Sequence, residues 1–462
     1  MRITEQYIRA GYFWLPDEPD KKIPGTLTIS DGGEIELEVV GLFDESIDAL
    51  NGKDDLSRIV GHVEKDGLVT LENCFYRKKN IAFGNIAKSL IHVNKAFCAV
   101  AYDKDENVTF NTMSFSIEGL DEWIGISGIT VSYGSDYRTA TIAYVPQDEM
   151  VFSLTNGFNL HICFGYTLPG FPSTTEAKIT QRAYFKLSSE EPREFGEFVS
   201  VLHQITYFIC FAVDATVTIR DVSATSNEIL REISEDKKMP VSIKVYYPSL
   251  PFSESTPKID AHRMLFRFSN IQQDAESIFN SWLTAYQIIR PALGLYFSAV
   301  SGTHKYLDGK FLALAQALET YHRRTSSETL MAPNEFRRLV AKSLWSCPKE
   351  HRKWLRNRIY YGNEISLGQR IKRIIDPYKS HIGNNKQRSK LIRAIVNTRN
   401  YLTHYTEALE SKAVRGRNLW LTCQKMEAIF QLQLLQQLGF SEGAIQGVLA
   451  NNYKLKQKLD EI

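Results

Sequence analysis

Apolar and polar residues alternate along the first half of the chain and recur at helical spacing along the second. Gly25 to Phe43 (GTLTISDGGEIELEVVGLF) alternates on both sides of Asp31-Gly32-Gly33, which predicts a β-hairpin. Alternating runs return at ENVTFNTMSFSIEGL, GITVSYGSDYRTATIAYV and NLHICFGYTL. The turn residues between them fall at the spacing of a sandwich or barrel. Glu190, Glu191, Pro192 and Glu194 precede EFGEFVSVLHQITYFIC and predict a helix over about 192–211. MPVSIKVYYPSL reads as a last strand, Pro248 to Pro257 as a connection, and RMLFRFS as one further strand.

From about Asp274 the period becomes helical. Ala275 to Leu295 has apolar spacings of three and four, with Pro291 expected to kink or end the helix. Further helices are expected at Phe311 to His322, at Glu335 to Ile359 with a break near Cys347-Pro348, at Leu367 to Ile375, at Lys386 to Thr403 and at Arg417 to Leu438. Gly439 is placed to end the last of these and Ser441 to cap a short final helix. The expected architecture is α+β and multidomain. A β-rich, sandwich- or barrel-like domain over 1–270 precedes an all-α helical bundle over 271–462.

Charge divides the same way. Residues 275–462 hold 29 Lys+Arg against 14 Asp+Glu, a balance of +15, whereas residues 1–274 hold 26 against 39, a balance of −13. A basic half is the electrostatic footprint of a nucleic-acid binder, although helical surfaces also carry Lys and Arg for solubility. The longest apolar run, Ile205 to Val217, carries Asp214 and reads as buried core, so no membrane span is expected. The N-terminus MRITEQYIRAGYFWLP lacks the layout of a signal peptide, which makes the cytoplasm the expected location. The six cysteines form no C-x-x-C pair and read as buried free thiols. Loops and elbows of P-loop nucleotidases, zinc enzymes, α/β-hydrolases and dinucleotide-binding folds are all missing, so no metal or cofactor is expected.

What remains is Arg399-Asn400-Tyr401-Leu402-Thr403-His404, an R-N-x-x-x-H sequence on the helix beginning near Lys386. At about 100° per residue, Arg399 falls within the apolar face marked by Leu391, Ile392, Ile395, Val396 and Leu402. A guanidinium there must be paired or sit at an interface. It can snorkel or pair with a core carboxylate such as Glu319, and His404 can serve merely as a helix-end residue. Arg399, Asn400 and His404, together with FLALAQALETYHRR and its Glu319 and His322, resemble the Apea-like group of the HEPN superfamily. GYFWLPDEP, IPGTLTIS and IELEVVGLF resemble the β-rich domain preceding that HEPN type in bacterial phage-defence proteins.

The resemblance implies a metal-independent ribonuclease. Attack of the ribose 2′-OH on the adjacent phosphate would leave a 2′,3′-cyclic phosphate and a 5′-OH. His404 would move the proton and Arg399 would stabilise the phosphorane, with Asn400 orienting His404 or holding a phosphate. Tyr401 and Thr403 are lesser candidates. Arg399 and His404 lie about 140° apart on an ideal helix, and the family brings two motifs together across a dimer, so a homodimer with a composite site is expected. RNA is the expected substrate, with tRNA as one candidate, and a phage-derived trigger would act on the N-terminal domain. Arg352, Lys353, Arg356 and Arg358, in a segment with Trp345 and Trp354, are candidates for RNA binding, or else form a solvated helix face over core tryptophans. Glu319 and His322 support the site or form a structural pair. Two other readings remain open: a non-catalytic HEPN module that binds RNA or protein, and a β-sandwich binding protein with a helical dimerisation domain.

Overall fold

The computed structural model describes residues 1–43, 54–80, 88–171, 174–234, 237–302 and 304–460. It divides into two compact units, Met1–Asn280 and Ser281–Ile462. The division falls inside the helix Ala275–Val300, not at the expected 270/271 boundary.

The first unit contains β1 (Tyr7–Trp14), β2 (Ile23–Ser30), β3 (Glu34–Val40), β4 (Asp55–Val63), β5 (Gly67–Asn80) and β6 (Lys88–Cys98). They pair antiparallel in the order β6-β3-β2-β1-β4-β5, and β5 returns to β6, closing a six-stranded barrel. The expected hairpin is β2–β3, with Ile29 opposite Ile35 and Leu27 opposite Leu37. The two-residue side-chain period turns Leu27, Ile29, Ile35, Leu37, Ile91 and Val93 inward, all fully buried. Gly61 leaves room for the Phe13 ring; a Cβ there would meet it at 2.4 Å.

The sheet continues through β7 (Thr109–Ile117), β10 (Met150–Ser153), β11 (Asn159–Thr167), β12 (Thr180–Glu194), β13 (Ile219–Thr225) and β16 (Ile243–Tyr246), in the order β10-β11-β12-β7-β13-β16 and then β6. β8 (Ile129–Tyr133) pairs with β9 (Ala140–Tyr144), and β14 (Leu230–Ser234) with β15 (Lys237–Pro240). A short helix α1 (Leu120–Ile124) and the long α2 (Phe195–Val213) pack against this part of the sheet. Aromatic contacts seal the layer: Phe158–Phe198 at 4.9 Å, Phe97–Phe195 at 5.3 Å and Trp123–Phe208 at 5.9 Å between ring centres. By length and composition α2 could cross a membrane, but most of it is buried within the unit.

Two expectations here are corrected. The helix does not begin at Pro192: β12 runs on to Glu194, which caps α2 reciprocally with Glu197. Pro192 fits because it lies where the β12–β7 register shifts between Ser188 and Arg193, a bulge where a missing N–H costs no ladder bond. RMLFRFS is not a strand. The N–H groups of Leu265 and Phe266 both donate to the carbonyl of Ala212 at the end of α2, and Met264, Leu265, Phe266 and Phe268 are all buried.

The second unit is helical: the rest of α3 (Ala275–Val300), then α4 (Leu307–Thr325), α5 (Pro333–Ser346), α6 (Arg352–Ile359), α7 (Leu367–Ile375), α8 (Asn385–His404), α9 (Glu407–Glu410), α10 (Gly416–Gln437), α11 (Glu442–Asn451) and α12 (Tyr453–Asp460). α3 kinks at Ile289 (φ −107°, ψ 16°), two residues before Pro291, as the missing N–H of proline dictates. Gly439 adopts φ 89° after α10, and the Ser441 hydroxyl accepts from Ala444 N, as expected. Of the cysteines, all free, Cys347 is only half-buried while the other five are buried.

α10 is the axis of this unit. It packs against α4, α7, α8, α11 and α12, and the Phe430 ring stacks on Tyr296 at 4.6 Å. Its polar residues are buried too. Gln433 donates to the Ile374 carbonyl at 2.9 Å. Glu427 holds Lys310 at 2.5 Å and Lys458 at 3.3 Å. Removing a carboxylate from between two cations leaves charge uncompensated in a dry site. Glu427→Ala is therefore expected to destabilise the helical unit by about 3–5 kcal/mol in urea unfolding, and Glu427→Met with Lys458→Met by less; equal losses would refute this account of the core.

Candidate functional site

α8 carries the R-N-x-x-x-H sequence on its last turns. The Asn384 side chain accepts from Gln387 N, and Gln387 bonds back to Asn384 N, a reciprocal cap that fixes the start of the helix. Only Ile395 and Thr398 are buried along its twenty residues. Leu391, Ile392, Val396 and Leu402, expected on the core-facing side, are half-buried. The helix packs against α4, α7, α9 and α10, and these apolar residues each keep a partly exposed edge.

Arg399 lies on that face with its side chain 36% exposed. Its guanidinium reaches Glu319 Oε2 on α4 at 3.5 Å and donates to Asn400 Oδ1 at 3.3 Å. The anticipated Arg399–Glu319 pairing is therefore present, but both contacts are longer than the 2.7–2.9 Å typical of charge-assisted hydrogen bonds. His404 is exposed as the last residue of α8, before Tyr405 turns the chain at φ 50°.

Glu319 belongs to a longer chain of charges. Arg323, one turn on, donates to Glu319 Oε1 at 3.1 and 3.2 Å and also binds Glu364. Glu364 meets Arg370 of α7 at 3.4 Å, and Arg370 meets His322 Nδ1 at 3.3 Å. Arg370 and His322 are both buried. Burial, then the Arg370 guanidinium, holds the His322 imidazolium below its ordinary pKa of 6.5. His322 is accordingly neutral near pH 7, and its Nδ1 accepts from Arg370. Three guanidiniums thus share two carboxylates, leaving a positive excess whose most loosely held member is Arg399.

The other expected residues divide. Glu319 joins the motif helix to the charge chain, and His322 lies at the chain's far end, beyond Arg370. Tyr401 OH accepts from Arg415 at 3.1 Å, with the Arg415 guanidinium 5.5 Å from the Tyr401 ring centre, so Tyr401 is occupied within its own unit. Thr403 Oγ1 donates to the Arg399 carbonyl at 2.7 Å, one turn back in the helix. Arg352 donates to the carbonyls of Cys347 and Trp345 and is spent on fixing the α5–α6 turn. Lys353, Arg356 and Arg358 lie exposed on α6, away from this chain of contacts. Trp345 and Trp354 are exposed, so the core-tryptophan reading of that segment does not hold. Arg323, Glu364, Arg370 and Arg415 were not anticipated. An arginine beside Ile371, Ile374 and Ile375 on a short amphipathic helix was the only signal for Arg370. Among the described residues, no group of three or more His, Cys, Asp or Glu side chains could hold a metal ion.

A closed β-barrel unit followed by a helical unit with an Arg-x4-His helix defines the class. A family model for ApeA N-terminal domain 1 matches residues 8–282, one for Apea-like HEPN matches residues 312–444, and the chain belongs to this Apea-like HEPN family with its ApeA N-terminal domain. No curated protein and no solved structure matches it. HEPN domains of this kind are associated with ribonucleases and defence.

The depressed pKa of His322 has a consequence for stability. As pH falls from 6.5 toward the lower folded value, the unfolded chain binds the proton first, and stability is lost through that window. Urea unfolding at pH 7.5 and 5.5 is expected to show a larger acid loss for the wild type than for His322→Asn; equal losses would mean that His322 charges freely in the fold.

Proposed function

We propose that this protein is a metal-independent endoribonuclease of antiviral, abortive-infection defence, with Arg399, Asn400 and His404 as its catalytic residues. RNA is the substrate, tRNA being a candidate. Two copies pair through the partly exposed apolar face of α8, and the ApeA-type N-terminal domain responds to a phage-derived trigger and regulates the nuclease. The observation that carries this reading is Arg399: a loosely held guanidinium, in a chain with excess positive charge, on an apolar helix face that remains partly exposed.

The chemistry follows from the side chains. The ribose 2′-oxygen attacks the adjacent phosphorus, the P–O5′ bond breaks, and the products are a 2′,3′-cyclic phosphate and a 5′-OH. One His404 accepts the 2′-OH proton; His404 of the second copy delivers a proton to the departing 5′-oxygen. Arg399 places two N–H donors on the non-bridging oxygens as negative charge builds there. Asn400, already bonded to Arg399, holds the guanidinium or a phosphate oxygen. A second copy also supplies what one helix cannot, because Arg399 and His404 point about 140° apart on a single α8.

Incubation of the full-length protein with total cellular RNA in EDTA is expected to give discrete fragments with cyclic-phosphate ends. Arg399→Ala and His404→Ala are each expected to lower the rate by about 10²–10⁴-fold. Fragments formed equally well by both variants would contradict the assignment, and binding of RNA without cleavage by the wild type would favour a non-catalytic module.

A further inference from the structure

Between α4 and α7 the chain leaves the bundle as a helical hairpin. Its base is pinned: Thr329 bridges Glu364, Leu330 N donates to the Asn363 carbonyl at 2.9 Å, and the Asn363 side chain bonds Met331 N and O at 2.9 and 3.0 Å. Its tip is held by Arg352 on the Cys347 and Trp345 carbonyls. Beyond the base no residue of α5 or α6 is buried. Phe336, Val340, Leu344, Leu355 and Ile359, at helical spacing, are only half-buried.

The surface of this hairpin combines exposed aromatic rings with an excess of positive charge. Trp345 is 81% exposed and Trp354 60%, and Tyr360 and Tyr361 stand exposed at the end of α6. Water-facing tryptophans cost solvation unless a partner covers them, and four exposed aromatics fall within residues 345–361. Residues 333–361 also carry eight Lys+Arg and two Asp+Glu, a balance of +6. Arg338, Lys342, Lys353, Arg356 and Arg358 have no ion-pair or hydrogen-bond partner among the described residues.

We propose that the α5–α6 hairpin is a binding platform for single-stranded RNA, with Trp345, Trp354, Tyr360 and Tyr361 stacking on unpaired bases and the free Lys and Arg side chains following the phosphates. Charge selects a polyanion, and flat exposed rings select one whose bases are unstacked, which excludes duplex as the preferred form. This platform rests on the ribonuclease reading for its purpose but is separate in sequence from Arg399 and His404. It directs the nuclease to loops and unpaired stretches of folded RNA.

The test uses full-length protein carrying His404→Ala, with a labelled 20-nucleotide oligo(U) and a labelled RNA duplex of equal length as probes. Fluorescence anisotropy is expected to show preference for the single strand. Trp345→Ala with Trp354→Ala should weaken its binding by about tenfold or more. Arg356→Ala with Arg358→Ala should lower the slope of log K against log salt by about 1.4, the value for two phosphates of a single strand. Thermal melting and mass in solution should not change, because all four residues are exposed. Unaltered oligo(U) affinity in the tryptophan variant, or equal affinity for duplex, overturns the platform. A change in oligomeric mass instead makes the patch a protein interface. Cleavage by the wild type is scored separately, so the platform can fail while the nuclease reading stands, and the reverse.

Discussion

Three arginines sharing two carboxylates organise the helical unit around its motif. Arg370 is buried and bonds His322 and Glu364, Arg323 binds Glu364 and Glu319, and Arg399 takes what is left of Glu319. A buried guanidinium without acceptors is costly, so this chain ties α4 and α7 to Glu364, three residues ahead of α7. The arrangement ends on Arg399 with incomplete compensation. The same residue is therefore both the end of a structural network and its most loosely held guanidinium. Glu319 is not a spectator to the motif; it sets where the motif's arginine rests and how much of its charge remains.

Much of the fold was legible because local signals and long-range pairing agreed. Asp31-Gly32-Gly33 between alternating runs gave the β2–β3 hairpin, and the kink before Pro291, the Gly439 stop and the Ser441 cap followed from single residues with one physical role each. Barrel closure was not legible. It depends on β1 meeting β4 and β5 meeting β6, pairings between edges that no local pattern specifies. Pro192 misled because proline starts helices and also tolerates bulges, and only the partner strand decides between them. RMLFRFS misled because its apolar residues are buried without alternation, against the end of α2.

Around the candidate site, the motif was visible in the sequence but its environment was not. The pairing of Arg399 with Glu319 was one of the alternatives that the helix geometry allowed. The Arg323–Glu364–Arg370–His322 continuation joins positions about 40 residues apart in sequence and leaves no pattern. The tryptophans of the hairpin show the reverse difficulty. Trp345 and Trp354 fit a helix face equally well as core or as surface, and their exposure separates the two.

The central claim is that one copy holds only half of the active site. Its most direct test is the specific RNA-cleaving activity of the full-length protein measured across a dilution series, with molecular mass recorded at each concentration. If the site is composite, specific activity falls in step with the dimer fraction and vanishes where only monomer remains. Constant specific activity through the monomeric range would contradict the account and return Arg399 and His404 to a site within a single chain.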